Sequence, residues 1–163
     1  MFELKITNLR EALLWSQHWA THIISVLDPD YPLEVPKPNP NSLLRRYFFH
    51  DISTCFFMAD EMANFKLATC EQIQDILEFT AALQEHDKLL IHCHAGISRS
   101  TAVACGVLCQ HGISPALAVK LVTRIRPQAF PNAYVIALFD EKLGLAGQLK
   151  QAVAEKFGAF YVD

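Results

Sequence analysis

Nine residues decide most of what this chain can fold into: His92-Cys93-His94-Ala95-Gly96-Ile97-Ser98-Arg99-Ser100, directly after the apolar run Leu89-Leu90-Ile91. The run reads as the end of a buried strand, and the nine residues read as a tight loop and the first turn of a helix. A strand-to-helix turn of this kind points several backbone N–H groups, and the positive end of a helix, into one small concavity. A cysteine at its mouth and an arginine six residues on add a nucleophile and a planar, bidentate clamp for oxyanions. These are the parts needed to take a phosphoryl group off an ester.

The whole chain narrows the setting. Its 163 residues predict one domain, 1–163, with a real core. Net charge is −3 with no block of like charges, which argues against a nucleic-acid partner. No run reaches the length of a membrane-spanning helix, and Met1-Phe2-Glu3-Leu4-Lys5 lacks the layout of a signal peptide, so a cytoplasmic enzyme is expected. Cys55, Cys70, Cys93, Cys105 and Cys109 are odd in number and do not spell a disulfide framework.

Taken in order, Phe2 to Ile6 suggests a short edge strand, and Asn8 a cap for a helix through Leu9, Ala12 and Leu13. His22 to Leu27 is nearly all apolar, as a buried parallel strand should be, and Asp28-Pro29 stops it. Prolines at 29, 32, 36, 38 and 40 mark irregular surface. Leu44 to Phe49 reads as another buried strand, whereas His50 to Ala68 has no clear pattern. Thr69 and Gln72 spell a capping box for a helix over about 70–85. After a strand at Lys88 to Ile91 and the turn, helices are expected from Ser100 to His111, from Pro115 to about Arg126 with Ser114 as its cap, from Asn132 to Gly144, and around Leu149 to Phe157. The pattern predicts an α/β fold: a single layered domain with a central, mostly parallel sheet flanked by helices. Sites in such sheets form beyond the carboxyl ends of strands, which makes Asp28, Asp51 and Cys93 neighbours.

In the loop, Cys93 precedes a helix start, with loop amides and Arg99 nearby to favour its thiolate. Gly96 permits the sharp turn, and Arg99 can bind two phosphoryl oxygens. Ser98 and Ser100 can donate hydroxyls, with Ser100 placed to reach back to the Cys93 sulfur. His92 is expected to fix the loop from behind, and His94 to line the rim. A metal held by His92, Cys93 and His94 is disfavoured because adjacent side chains diverge. His18, His22, His50, His86 and His111 read as surface or satisfied polar groups. Cys105 and Cys109 read as small hydrophobes, with a resolving thiol as the lesser reading. Trp15 and Trp19 read as core cover, and Arg126 as either a rim residue or a helix C-terminal cation.

Cys93 to Arg99 fits the Cys-x5-Arg signature of the protein tyrosine phosphatase superfamily, and Ala95-Gly96-Ile97-Ser98-Arg99-Ser100 resembles its dual-specificity branch. Arg126-Pro127 with Pro131-Asn132 resembles the continuation in compact bacterial members; the likeness spans roughly residues 20 to 140. The resemblance implies a cysteinyl-phosphate formed on Cys93 and a phosphoryl group held by Arg99 and the loop His94, Ala95, Gly96, Ile97 and Ser98. It implies that Ser100 helps expel the thiolate, and that neither metal nor cofactor is used. It also requires an aspartate as general acid on a separate loop. Asp51 follows a strand end, and Asp60 lies 33 residues before Cys93, nearer the common spacing; rigidity favours Asp51. The expected substrate is a phosphorylated protein or small phosphomonoester, since the loop carries no lysine. A catalytically retired, phosphate-reading module and a phosphoinositide phosphatase are the alternatives. Sulfur-transfer and arsenate-reductase types fit the loop's length, serine and position less well.

Overall fold

The computed structural model describes residues 1–31, 38–53 and 64–158. Four strands, β1 (Glu3–Thr7), β2 (His22–Leu27), β3 (Leu43–Phe48) and β4 (Lys88–His92), pair in the order β1-β4-β2-β3. Every pairing is parallel. Thr7 and Ser25 both stand opposite His92, and Leu27 stands opposite Phe48. The chain therefore leaves all four strands at one edge of the sheet, with Asn8, Asp28, Phe49 and Cys93 as the next residues.

The two-residue alternation of the strands sorts side chains between two cores. Leu89 and Ile91 of β4, with Ile24 and Val26 of β2, join the larger core. Leu90 and Ile23 face the other way, under Ala12 and Trp15 of α1 (Leu9–His18) and Trp19 directly after it. The tryptophans cover this smaller core as expected, and Lys5 Nζ lies 4.2 and 4.9 Å from their ring centres. The larger core is filled by α2 (Cys70–Thr80), α3 (Arg99–Gln110), α4 (Pro115–Ile125), α5 (Ala133–Lys142) and α6 (Gln148–Phe157). The expected capping box of Thr69 with Gln72 is present on α2, and the expected cap Asn8 of α1 forms a capping box as well, with Glu11. Each satisfies two orphan N–H groups reciprocally.

Three expectations need correction. The buried strand expected over Leu44 to Phe49 is β3, the sheet edge, which buries only Tyr47 within its span. Apolar composition cannot distinguish a strand with two neighbours from one with a single neighbour. Second, α2 stops at Thr80 rather than near Glu85. Leu83 N–H then donates to Thr80 O, and Gln84 N–H to Asp87 Oδ2, forming the turn into β4. Third, Ser114 precedes Pro115 at the start of α4 but its hydroxyl makes no capping bond. One contact with no local sequence signal joins the last two helices. The buried Asp140 of α5 accepts from the N–H groups of Gly147, Leu149 and Lys150, closing the start of α6. No helix among the described residues is long and apolar enough to cross a membrane.

Helix α3 crosses α5 at a glycine. A Cβ added at Gly106 would lie 2.2 Å from a carbon of the buried Phe139 ring. Gly106→Ala is expected to destabilise the fold by about 1–3 kcal/mol, because overpacking outweighs the better helix propensity of alanine. Urea unfolding should show a lower midpoint at constant m, and Phe139→Leu in the same chain should recover part of the loss.

Candidate active site

The turn between β4 and α3 is shaped by where its carbonyl groups go. His94 O accepts from Leu9 N–H at 3.0 Å, and Phe130 N–H donates to Ile97 O at 2.8 Å. Asn132 N–H donates to Ser98 O at 3.2 Å. Arg126 takes the middle of the loop, with Nε 2.9 Å from Gly96 O and Nη2 3.3 Å from Ala95 O. Each carbonyl from His94 to Ser98 is thus held from outside. In a planar trans peptide, an outward carbonyl turns the next residue's N–H inward. The amides of residues 95–99 accordingly form a nest, in which Gly96 N–H donates to Cys93 Sγ at 3.2 Å.

Gly96 is obligatory here. Its φ is +68°, and a Cβ would come within 2.5–2.6 Å of the Thr7 and Asn8 backbone. The loop rests directly on the β1–α1 junction. Arg126, left open between two roles by its sequence position, bridges this junction as well: Nη1 is 2.9 Å from Glu11 Oε2.

Cys93 lies at the floor of the nest, 1% exposed. Ser100 Oγ stands 3.2 Å from its sulfur. Arg99, also buried, donates from Nη1 to Asp28 Oδ1 at 2.8 Å and to Phe49 O at 2.7 Å. Its Nε is 3.9 Å from Asp51 Oδ2 and has no hydrogen-bond partner among the described residues. One nitrogen thus anchors the guanidinium while the Nε–Nη2 edge stays open for an oxyanion.

Asp51 comes to the same place from the end of β3. Its Oδ1 accepts from Ser98 Oγ at 2.6 Å and from Asn132 Nδ2 at 2.8 Å. The Ser98 hydroxyl makes no capping bond to α3 and instead holds this carboxylate. Asn132 serves twice: its Oδ1 caps α5 at Val135 N–H while its amide group holds Asp51. The other acid candidate, Asp60, lies outside the described residues, as does Cys55.

His92 sits behind the nest, fully buried, with Nδ1 3.4 Å from Cys93 O. Its Nε2, Thr7 Oγ1 and Ser25 Oγ occupy one row across β1, β4 and β2, and none has a hydrogen-bond partner among the described residues. Burial in this row pushes the imidazole down to about 4, against a smaller opposing effect of its bond to Cys93. His94 lies exposed on the rim with its ring 4.6 Å from Tyr31, edge to face. Burial raises the Cys105 and Cys109 thiols, the latter to about 11, so both stay protonated near neutrality, as small hydrophobes do. Among the described residues, no three His, Cys, Asp or Glu side chains gather closely enough to hold a metal ion.

Sequence position alone assigns Asp28 no role beyond proximity, and Asn132 none beyond its cap. Asp28 carried a signal, its place directly after a strand. The bond from Asn132 to Asp51 had none.

Solved structures carry the same architecture. Human DUSP28 matches with a TM-score of 0.55 at 24% identity, over 89% of this chain and 93% of that one. A mouse putative dual specificity phosphatase complexed with zinc tungstate matches with a TM-score of 0.62 at 24% identity, over 91% and 86%. PTPMT1 in complex with PI(5)P matches with a TM-score of 0.61 at 15% identity, over 94% of each chain. A search of curated proteins finds no match to the sequence. The parallel sheet flanked by helices is the fold of the protein-tyrosine and dual-specificity phosphatases, as expected from the sequence. Within that superfamily, residues 34–119, more than half of the chain, match the cyclin-dependent kinase inhibitor 3 (CDKN3) family. The chain belongs to this family.

The buried histidine makes stability depend on pH. Its folded value lies below the ordinary 6.5, so the unfolded chain binds the proton first as pH falls. The associated stability is fully present above about pH 6.5 and is lost progressively down to about pH 4. This loss should reach roughly 3 kcal/mol. Urea midpoints measured across that window should fall less steeply for His92→Asn than for the native chain.

Proposed function

We propose that the protein is a cysteine-dependent phosphomonoester hydrolase of the tyrosine or dual-specificity type, working through a cysteinyl-phosphate. The observation that carries this reading is the position of Cys93 Sγ, at the floor of the inward-turned amides and within reach of Ser100 and Gly96. Cys93 Sγ attacks phosphorus, and the bond to the ester oxygen breaks. The loop amides and the open edge of Arg99 take up charge on the three equatorial oxygens, most strongly as the phosphoryl group flattens. Asp51 protonates the leaving oxygen. Its Oδ1 is held by Ser98 and Asn132, leaving Oδ2 as the oxygen that carries the proton. Water then attacks the cysteinyl-phosphate and gives its proton to Asp51. The sulfur leaves as thiolate, assisted by the Ser100 hydroxyl, and inorganic phosphate is released.

No metal or cofactor enters this scheme. The chain is read as one catalytic unit, resembling compact bacterial members at Arg126-Pro127 and Pro131-Asn132, and a reactive thiol suits a reducing cytoplasm. A phosphoprotein is favoured over a phosphoinositide because the loop contributes no lysine to neutralise a multiply charged headgroup.

The test is phosphate release from phosphotyrosyl and phosphoseryl peptides and from a phosphoinositide, in EDTA. Turnover of peptide should be abolished by Cys93→Ser. Asp51→Asn should lower kcat by about 10²–10⁴-fold and remove the high-pH limb of the rate profile. An unchanged Asp51→Asn beside a collapsed Asp60→Asn would transfer the acid role. Peptide binding without turnover would make the chain a phosphate reader, and preference for the lipid would overturn the substrate class.

A further inference from the structure

Beside the nest lies a groove of about 510 Å³, lined by Leu9, Arg10, Leu13, Tyr31 and His94, with Asn8 and Ala95 at the junction with the loop. It begins at the first residues after Cys93, the end of the loop away from Ser98 and the carboxylate of Asp51. Its wall is tied to the loop by the bond from Leu9 N–H to His94 O. Its other wall, Tyr31, is held by a turn onto Asp28 O, the residue that also anchors Arg99. A change at the phosphate clamp and a change in this groove therefore share the same supports.

The chemistry of the lining is one-sided. Arg10 is exposed and makes no ion pair among the described residues. Asn8 spends its Oδ1 on the helix cap, so its amide NH2 is what it can offer a ligand. His94 and Tyr31 add further donors. Among the described carboxylates near the groove, Glu11 accepts from Asn8 N–H and pairs with Arg126, Asp28 accepts from Arg99, and the exposed Asp30 lies 3.7 Å from His50. Leu9 and the 45%-exposed Leu13 supply apolar surface next to these donors.

We propose that this groove is a substrate-recognition subsite for an acidic side chain flanking the phosphorylated residue, in a peptide that crosses the loop. The aliphatic part of that side chain lies on Leu9 and Leu13, and its carboxylate meets Arg10. The assignment rests on the phosphatase reading above. A peptide is the occupant because the phosphorylated residue occupies the nest with its leaving oxygen toward Asp51, and the chain beyond it has the groove on the other side. Charge complementarity selects the acidic neighbour.

The test uses phosphotyrosyl peptides with Glu, Ala or Lys at each of the three positions on either side, with the native chain and Arg10→Glu. The readout is the ratio of kcat/KM between Glu and Ala peptides, which is insensitive to uniform losses. At one position the native ratio should be about three- to tenfold at low salt and shrink toward unity at high salt. Arg10→Glu should invert it in favour of the Lys peptide. A flat native ratio, or one that survives Arg10→Glu, overturns the subsite. Two further arms keep the readings apart. p-Nitrophenyl phosphate, too small to fill the groove, reports whether the loop performs the chemistry at all. Fluorescence polarisation of the same peptides on Cys93→Ser reports the preference as affinity, so the groove is tested even where no substrate turns over. Affinity independent of the flanking residue in that arm also overturns it.

Discussion

The outward hydrogen bonding of the loop carbonyls is the interaction on which the rest of this site depends. Backbone groups out of contact with water must be paired, and a peptide plane cannot turn its C=O and N–H to the same side. By supplying donors on the outside, from Leu9, Arg126, Phe130 and Asn132, the protein leaves the amides of the loop facing one another around Cys93. Such a cluster of like dipoles would relax if its carbonyls were free to rotate inward. Arg126 is the central support, because a single planar side chain reaches two carbonyls and Glu11 together.

The parallel sheet supplies the remaining groups by the same rule, one strand end at a time. β2 delivers Asp28, β3 delivers Phe49 O and Asp51, β4 delivers Cys93, and β1 delivers the Thr7–Asn8 backbone against which Gly96 packs. Arg99 lies between the two carboxylates with one nitrogen committed and one edge open. A buried guanidinium without such partners would be strongly unfavourable. Asp28 therefore permits the guanidinium to be buried while its Nε stays without a hydrogen-bond partner among the described residues. The groove beyond His94 extends this arrangement outward, since Tyr31 and Leu9 hang from the same two junctions.

Legibility in the sequence tracks distance along the chain. The relation of Cys93, Gly96, Arg99 and Ser100 is readable because all four sit within one turn and its helix, where local spacing determines geometry. The cap at Asn8 and the capping box at Thr69 are readable for the same reason, each being confined to four consecutive residues. The bonds from Asn132 to Asp51 and from Arg126 to Gly96 and Glu11 are not, because each partner has an adequate local explanation as a helix cap or helix-end cation. The burial of β3 is overestimated from sequence because Leu44, Tyr47 and Phe49 are apolar whether a strand has one neighbour or two.

What the sequence determined by itself was the alternation of apolar strands with capped helices, hence an α/β sheet, and the tight turn from Cys93 to Arg99 at the end of its fourth strand. Both come from local periodicity and local sterics. Tertiary structure alone decided that Asp28 would anchor Arg99, that Ser98 and Asn132 would hold Asp51, and that Arg126 would close the back of the loop. Those outcomes depend on strand order and parallel register, which bring residues tens of positions apart to one edge. No pairwise spacing along a chain encodes such an edge.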